Sequence, residues 1–104
     1  MTLNLTTKNY ALPPEMRNYL EERISKVTSR LDAINTDVYI KRNTHHKQGD
    51  IFDVEVIINV PKKMIVAKTQ APDVRAALHI LEKKLDKQIA RYRRKATNEK
   101  NYSD

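Results

Sequence analysis

The residues with the clearest capacity for chemistry are basic side chains near the end of the chain. Residues 83–95 contain seven Lys and Arg against one Asp, a local net charge of +6 in a chain whose net charge is +7. At about 100° per residue on a helix, four of these side chains fall on one flank. This late basic flank consists of Lys84, Lys87, Arg91 and Arg94. Glu82 and Asp86 fall on the opposite flank.

A flank of cations that is separated from the acidic residues is suited to binding a polyanion. The late basic flank is roughly 15 Å long at ~1.5 Å per residue, which is enough to span several successive phosphates. Sorted charge produces a directional field, whereas a merely solubilising helix tends to intersperse its signs. The alternative is a solvated helix end whose cations only complement the negative end of the helix dipole. The sorting favours nucleic acid as the partner.

A second, shorter row of cations lies in the first third of the chain. Arg23, Lys26 and Arg30 share one flank of an amphipathic segment, and we call them the early basic flank. Glu21 and Glu22 lie elsewhere around the same segment. Charge is therefore sorted here as well, although more weakly.

Groups that could support catalysis or metal binding are sparse. With no cysteine and one glycine, Gly49, the chain can build no thiolate metal site, disulfide or glycine-rich phosphate loop. Asp53 and Glu55 are ~7 Å apart on one strand face, a possible acid/base spacing, but an exposed face ordinarily carries such residues. His45 and His46 are adjacent and would need outside ligands to hold a metal, so a solvated or RNA-contacting loop is preferred. We predict no enzyme, no metal and no cofactor.

Composition limits the class of protein further. A chain of 104 residues is long enough for one domain with a modest core. No apolar run approaches the ~20 residues of a membrane span, and the N-terminus lacks the apolar region of a signal peptide. We therefore expect a soluble intracellular protein with no membrane partner. A pI near 9.7 points to a polyanionic partner, either nucleic acid or an acidic surface.

Apolar periodicity predicts the elements that must position these side chains. Two segments repeat apolar residues at steps of three and four, which predicts helices that open at Pro13–Pro14 and at Pro72 and end near Leu31 and Lys95. Their apolar stripes are Met16, Leu20, Ile24, Val27 and Leu31 in the first helix, and Val74, Ala77, Leu78, Leu81, Leu85, Ile89 and Tyr92 in the last. Alternating apolar and polar residues predict strands over 2–8, 36–43, 51–60 and 64–69.

The element order β-α-β-β-β-α predicts an α+β two-layer sandwich. A right-handed crossover and two hairpin connections give a four-stranded mixed sheet with both helices on one face. Parallel helices would put both basic flanks on the same lateral side, so we expect one flank to line the groove between the helices. The open sheet face is expected to show Tyr39, Lys41, Asp53, Glu55, Ile57 and Val66. We expect residues 1–95 to form the domain and 96–104 to form a flexible polar tail.

The last helix carries a distinctive pattern of an acidic start, an Ala-Ala pair, then Lys-Leu, Gln and alternating basic residues. Its members are Asp73, Ala76, Ala77, Leu78, Leu81, Lys84, Leu85, Gln88, Ile89, Arg91 and Tyr92. The opening TLNLTTK, the early helix ending near Leu31–Asp32 and the three strands after it match in order and length. In these respects nearly the whole chain resembles a short ribosome hibernation-promoting factor of the ribosome-associated inhibitor A (sigma-54 modulation protein) family.

This resemblance implies a fold similar to double-stranded RNA-binding domains and a function in translation. Family members lodge on the small ribosomal subunit, in the groove where messenger and transfer RNA would lie, and block translation by occupancy under stress or in stationary phase. The implied partners are that subunit, its ribosomal RNA and nearby ribosomal proteins, with no small-molecule substrate and a cytoplasmic monomer off the ribosome. The RNA-binding positions carried over are Arg23, Lys26, Arg30, Lys84, Lys87, Arg91, Arg94 and Lys95.

Three features depart from the family pattern. Longer members append a second, dimerising domain that pairs ribosomes, whereas this sequence stops soon after the predicted helix, so we expect it not to pair ribosomes alone. The tail ATNEKNYSD matches no family tail, which leaves open whether the protein assists or opposes pairing. His45 and His46 lie in a loop that does not align with the family pattern.

Two other functions remain open from the residues. One is a free-standing RNA-binding module that acts on messenger or structured RNA. The other is a protein-binding regulator that uses the open sheet face and would be sensitive to changes at Tyr39 and Ile57. A stacking platform for single strands is not expected, because Tyr92 lies on the apolar stripe and the other tyrosines are scattered.

Overall fold

The predicted order of helices and strands is confirmed by the structure. The computed structural model describes residues 2–44 and 51–102, with side chains described up to residue 94. The elements are β1 (Thr2–Lys8), α1 (Pro14–Thr28), β2 (Asn35–Asn43), β3 (Ile51–Val60), β4 (Lys63–Ala71) and α2 (Val74–Tyr102). His45 and His46 lie outside the described residues, and so does the loop to which we assign them.

The four strands form one mixed sheet in the order β1-β2-β3-β4. β1 pairs in parallel with β2, as a right-handed crossover through α1 requires, and the other two pairings are antiparallel. The two edge strands are therefore β1 and β4. The register places Tyr39 opposite both Thr6 and Glu55, and Glu55 opposite Lys68, so these four residues cross the open sheet face in one row.

The core lies between the other sheet face and the two helices. It contains the inward residues of the strands and the apolar stripes of both helices, as the periodicities predict. Leu20, Ile24, Val38, Val56, Ile58, Ile65, Leu78, Leu81 and Leu85 are each no more than 1% exposed. Thr36 is the inward residue next to Val38 on β2 and is also fully buried. The two-layer α+β sandwich is therefore confirmed.

α2 begins at Val74, two residues after the predicted start at Pro72. Asp73 is the residue before the helix, and its carboxylate accepts a hydrogen bond from the backbone N–H of Ala76 at 2.7 Å. This is the usual role of an aspartate at a helix N-terminus, because the first N–H groups have no partner within the helix. Pro72 therefore precedes the helix, and our prediction that the helix opens at Pro72 was wrong.

The far ends of both helices also differ from the prediction. α1 ends at Thr28 rather than near Leu31. The Thr28 hydroxyl donates a hydrogen bond to the carbonyl of Ile24, and the Ser29 hydroxyl donates one to the carbonyl of Lys26. Ser and Thr side chains compete with helix continuation through such hydrogen bonds to nearby carbonyls. Leu31 still packs against the core from the turn that follows. At the other end, α2 continues past the predicted end at Lys95 to Tyr102.

Candidate nucleic-acid interface

The late basic flank lies on the outer side of α2, above the edge strand β4. Lys84, Lys87, Arg91 and Arg94 are all exposed. Lys87, Arg91 and Arg94 form no ion pair with any carboxylate of residues 2–44 or 51–94. Their charges are therefore available to a partner, as the predicted nucleic-acid interface requires.

Lys84 has a structural contact that the sequence did not indicate. Its Nζ donates a hydrogen bond to the backbone carbonyl of Lys68 at 2.7 Å. One helical turn later, the side-chain amide of Gln88 donates to the carbonyl of Val66 at 2.6 Å. These carbonyls belong to β4, which is an edge strand of the sheet formed by the described residues. Lys84 and Gln88 therefore fasten α2 to the sheet edge and satisfy acceptors that an edge strand would otherwise expose.

The early basic flank faces the groove between the helices. Arg23 forms a two-pronged ion pair with Glu82, and Arg30 forms an ion pair with Asp86. Lys26 is exposed, and its Nζ lies 3.7 Å from Glu22 on its own helix. The cations of α1 thus meet the acidic flank of α2, whereas the late basic flank points away from α1. Our expectation that one basic flank lines the interhelix groove is confirmed.

The Arg23–Glu82 pair is the more shielded of the two ion pairs. The side chains of Arg23 and Glu82 are 33% and 17% exposed, against 44% and 55% for Arg30 and Asp86. The hydrogen bonds that Arg23 donates to the Glu82 carboxylate, and then the negative charge of Glu82, raise the pKa of the Arg23 guanidinium above its ordinary value. Arg23 therefore stays charged, and much of its charge is already compensated by Glu82.

Three contacts join α1 and the turn that follows it to α2, and they succeed one another in the same direction along the two segments. The guanidinium of Arg75 lies 4.5 Å from the ring centroid of Tyr19, and the Arg23–Glu82 and Arg30–Asp86 pairs follow. The two helices consequently run parallel. Each helix carries its basic flank on the same side when both are viewed along their axes. The early flank therefore faces α2 while the late flank faces away from α1, so the two flanks do not form one continuous surface.

The remaining basic residues include one that falls outside the side-chain description and two that we did not select. Lys95 lies in α2 by its backbone, but its side chain lies outside the described residues. Lys62 and Lys63, which fall between the predicted strands 51–60 and 64–69, are exposed at the β3–β4 turn. The topology could have indicated them, because a long helix that runs antiparallel to β4 must pass beside the turn at which β4 begins.

The acidic residues considered for catalysis make ordinary surface contacts. On the open sheet face, Glu55 pairs with Lys68 at 3.6 Å, and Asp53 accepts a hydrogen bond from the Gln70 amide at 2.5 Å. His79 is exposed. Within residues 2–44 and 51–94, no cluster of three potential metal ligands occurs. No helix of the described chain is long and apolar enough to cross a bilayer.

A broad groove lies on the open sheet face. It has a volume of about 760 Å³ and reaches from the β1–β2 side to Lys84 at the β4 edge. Its lining includes the exposed ring of Tyr39 and a mixture of charges from Lys8, Lys41, Asp53 and Glu55. The mixture of signs distinguishes this groove from the uniformly basic outer side of α2.

Comparison with known proteins identifies the family of this chain and several of its relatives. A family model described as Sigma 54 modulation protein / S30EA ribosomal protein matches residues 3–97. The chain belongs to this family. Within it, the chain is similar to ribosome-associated factor Y of Haemophilus influenzae, with 30% identity over 96 residues that cover 92% of this chain and 86% of that protein. It is also similar to the ribosome hibernation promoting factor of Pseudomonas putida, with 27% identity over 95 residues that cover 91% and 89% of the two chains. The resemblance seen in the sequence is confirmed.

Solved structures share the fold at lower identity. A ribosomal subunit interface protein from Coxiella burnetii superposes with a TM-score of 0.70 at 19% identity, over 89% of this chain and 98% of that one. The N-terminal domain of Thermus thermophilus Protein Y superposes with a TM-score of 0.68 at 16% identity, over 88% and 99% of the two chains. The β-α-β-β-β-α sandwich is therefore the fold of these proteins as well.

Proposed function

We propose that the protein is a ribosome hibernation factor that binds the small ribosomal subunit in the cytoplasm and inhibits translation under stress or in stationary phase. It occupies the groove that messenger and transfer RNA would fill, and it does so as a monomer that catalyses no reaction. Its contacts are with ribosomal RNA and nearby ribosomal proteins. Two relatives named for ribosome association and hibernation support the choice of partner.

The observation that carries this proposal is the late basic flank on the outer side of α2. Its three outermost cations are exposed and have no carboxylate partner among the described residues. Lys84 begins the same flank next to the sheet edge. Lys and Arg rows of this kind bind the phosphate backbone and read the shape of folded RNA without base-specific contacts. We assign the principal RNA contact to this flank.

The early basic flank has a secondary role in the proposal. Lys26 on α1 and Arg30 in the turn after α1 are exposed at the rim of the interhelix groove, where they can reach a phosphate. Arg23 is less exposed and is held by Glu82, so its main contribution is to fix the two helices together. Lys95 extends the late flank in sequence and belongs to the proposed contact set.

Inhibition of cell-free translation tests the proposed activity. The wild-type protein is expected to reduce synthesis from a messenger RNA, because it competes for the groove that the message must enter. Loading the small subunits with messenger and transfer RNA before the protein is added should weaken its binding. Equal binding to loaded and empty subunits would contradict the proposed location, and no inhibition at saturating protein would contradict the proposed activity.

A protein-binding regulator is the second candidate, and the groove on the open sheet face favours it. Tyr39 is 43% exposed at the centre of that face, beside a mixed set of charges that suits a polar peptide better than a polyanion. This candidate predicts that Tyr39→Ala abolishes function while charge changes on α2 do not. The ribosomal proposal predicts the reverse.

A further inference from the structure

The turn between β3 and β4 has an unusual residue at its most constrained position. Val60 pairs with Lys63, so Pro61 and Lys62 form a two-residue turn. Lys62 has φ of 66°. A proline followed by a residue of positive φ is the arrangement of a type II turn, where glycine or asparagine is the usual second residue. A lysine there carries backbone strain that glycine would avoid, so stability does not explain its presence.

The position of this turn follows from the contacts between α2 and β4. Lys84 contacts the carbonyl of Lys68, and Gln88 contacts that of Val66. The next step of this series brings the ammonium of Lys63 to 6.0 Å from the ring centroid of Tyr92. Each further helical turn of α2 contacts a β4 residue two or three positions closer to the β3–β4 turn. The β3–β4 turn therefore lies beside the part of α2 that carries Arg91 and Arg94.

Two separate elements therefore present cations at the same end of the molecule. Lys62 and Lys63 are exposed on the turn, and Arg91 and Arg94 are exposed on α2. Within the described part of the chain, none of these four side chains is paired with a carboxylate. The rigid hairpin and the helix hold the charges at fixed separations, which suits the repeating phosphates of a nucleic-acid backbone better than a single anion.

We propose that Lys62 and Lys63 are RNA-contact residues that extend the late basic flank from α2 onto the β3–β4 turn. The ligand is the phosphodiester backbone of structured RNA, which contacts the cations of both elements at once. This inference rests on the proposed function, because it adds a second element to the same ribosomal RNA interface. An acidic segment of a ribosomal protein is the competing ligand, and the salt dependence of binding separates the two.

The test measures the affinity of full-chain variants for purified bacterial small ribosomal subunits over a range of KCl concentrations. The double variant Lys62→Gly, Lys63→Gln is expected to bind roughly tenfold more weakly near 0.1 M salt, with the log-log salt slope reduced by about one per lysine. The matched control is Lys8→Gln, Lys41→Gln, which removes the same charge from exposed strand positions on the open sheet face. The control is expected to keep the wild-type affinity and slope.

A second measurement separates binding from folding. Lys62→Gly alone is expected to keep or raise the thermal midpoint, because glycine relieves the positive φ, and yet to weaken subunit binding. Affinity then falls without any loss of stability, which a misfolded variant cannot produce.

Three outcomes would overturn the inference, and the first two are distinguishable from failure of the proposed function. Wild-type affinity in the turn variants, combined with loss of binding in a variant of Lys87 and Arg91, removes the turn from the interface and leaves the proposed function intact. Weaker binding with an unchanged salt slope assigns the turn to a protein contact. If the wild-type protein itself does not bind the subunits, the proposed function and the inference fail together.

Discussion

At the scale of single residues, Lys87 and Arg91 are the side chains on which the proposed interface depends most. Both are exposed on the late basic flank and pair with no described carboxylate. Reversing both charges should weaken binding to small ribosomal subunits by at least roughly tenfold near 0.1 M salt, because phosphate contacts are lost and repulsion replaces them. A filter-binding titration would measure this change.

The matched control for this charge reversal is Lys8→Glu, Lys41→Glu. It changes the net charge of the protein by the same amount but lies on β1 and β2, away from α2. The control should retain most of the wild-type affinity. Equal losses in the two double variants would show that only the overall charge matters, and would contradict a localised interface.

Residue roles could be predicted from the sequence only where they depend on rotation about one helix. A step of 100° per residue is enough to place Lys87, Arg91 and Arg94 together and Glu82 apart from them. The contact of Lys84 with a β4 carbonyl depends on how the helix slides along the strand, which no local pattern records. The exposure of Lys62 beside α2 likewise depends on topology.

At the scale of elements, the groove between α1 and α2 determines how much of the early basic flank is available to RNA. Glu82 and Asp86 compensate Arg23 and Arg30 there. Replacing them by Gln and Asn should free two cations, so binding is expected to strengthen and the salt slope to steepen by up to about one per freed arginine. If affinity falls instead, the ion pairs are needed to hold the helices in their binding geometry.

Gln88 tests the attachment of α2 to the sheet edge. Its half-buried amide donates to the Val66 carbonyl, so Gln88→Ala should remove one hydrogen bond and expose an edge acceptor. The expected loss is about 1 kcal/mol of unfolding free energy. For a domain of this size that corresponds to a fall of roughly 4–8 °C in the thermal midpoint.

Calorimetry or thermal circular dichroism would measure this fall in the midpoint. Lys83→Ala is a suitable control, since Lys83 is exposed on the same helix and contributes no described contact to β4. An unchanged midpoint in Gln88→Ala would show that the apolar stripe alone attaches the helix.

The existence and the buried faces of the elements were largely predictable, whereas several of their ends were not. Alternation fixes which face of β3 is buried, and steps of three and four do the same for both helices. The helix ends depend on single hydrogen bonds instead. The Asp73 carboxylate starts α2 after Pro72, and the hydroxyls of Thr28 and Ser29 accompany the end of α1 before Leu31.

At the scale of the whole molecule, the protein has a basic outer side, a mixed-charge sheet face and a core between them. Parallel helices with identically placed basic flanks make this polarity unavoidable, because one flank must face the neighbouring helix and the other must face outward. The sandwich could be predicted from the element order, since it buries every apolar stripe at once. The division of the cations between groove and surface needed the relative placement of both helices.

The proposed division at residue 95 gives a prediction at the same scale. We propose that residues 1–95 are sufficient for binding the subunit and that residues 96–104 are not required. Deletion of 96–104 should therefore change the affinity less than twofold in the same titration, because the proposed contact residues end at Lys95. A larger loss would place part of the interface in the deleted segment.

Sedimentation of a stationary-phase cell extract through a sucrose gradient tests the central claim most directly, because it asks for the partner before any residue is changed. The protein is expected in the fractions of small ribosomal subunits or whole ribosomes, and the Lys87→Glu, Arg91→Glu variant is expected near the top of the gradient. Recovery of the wild-type protein only in the soluble top fractions would contradict the account.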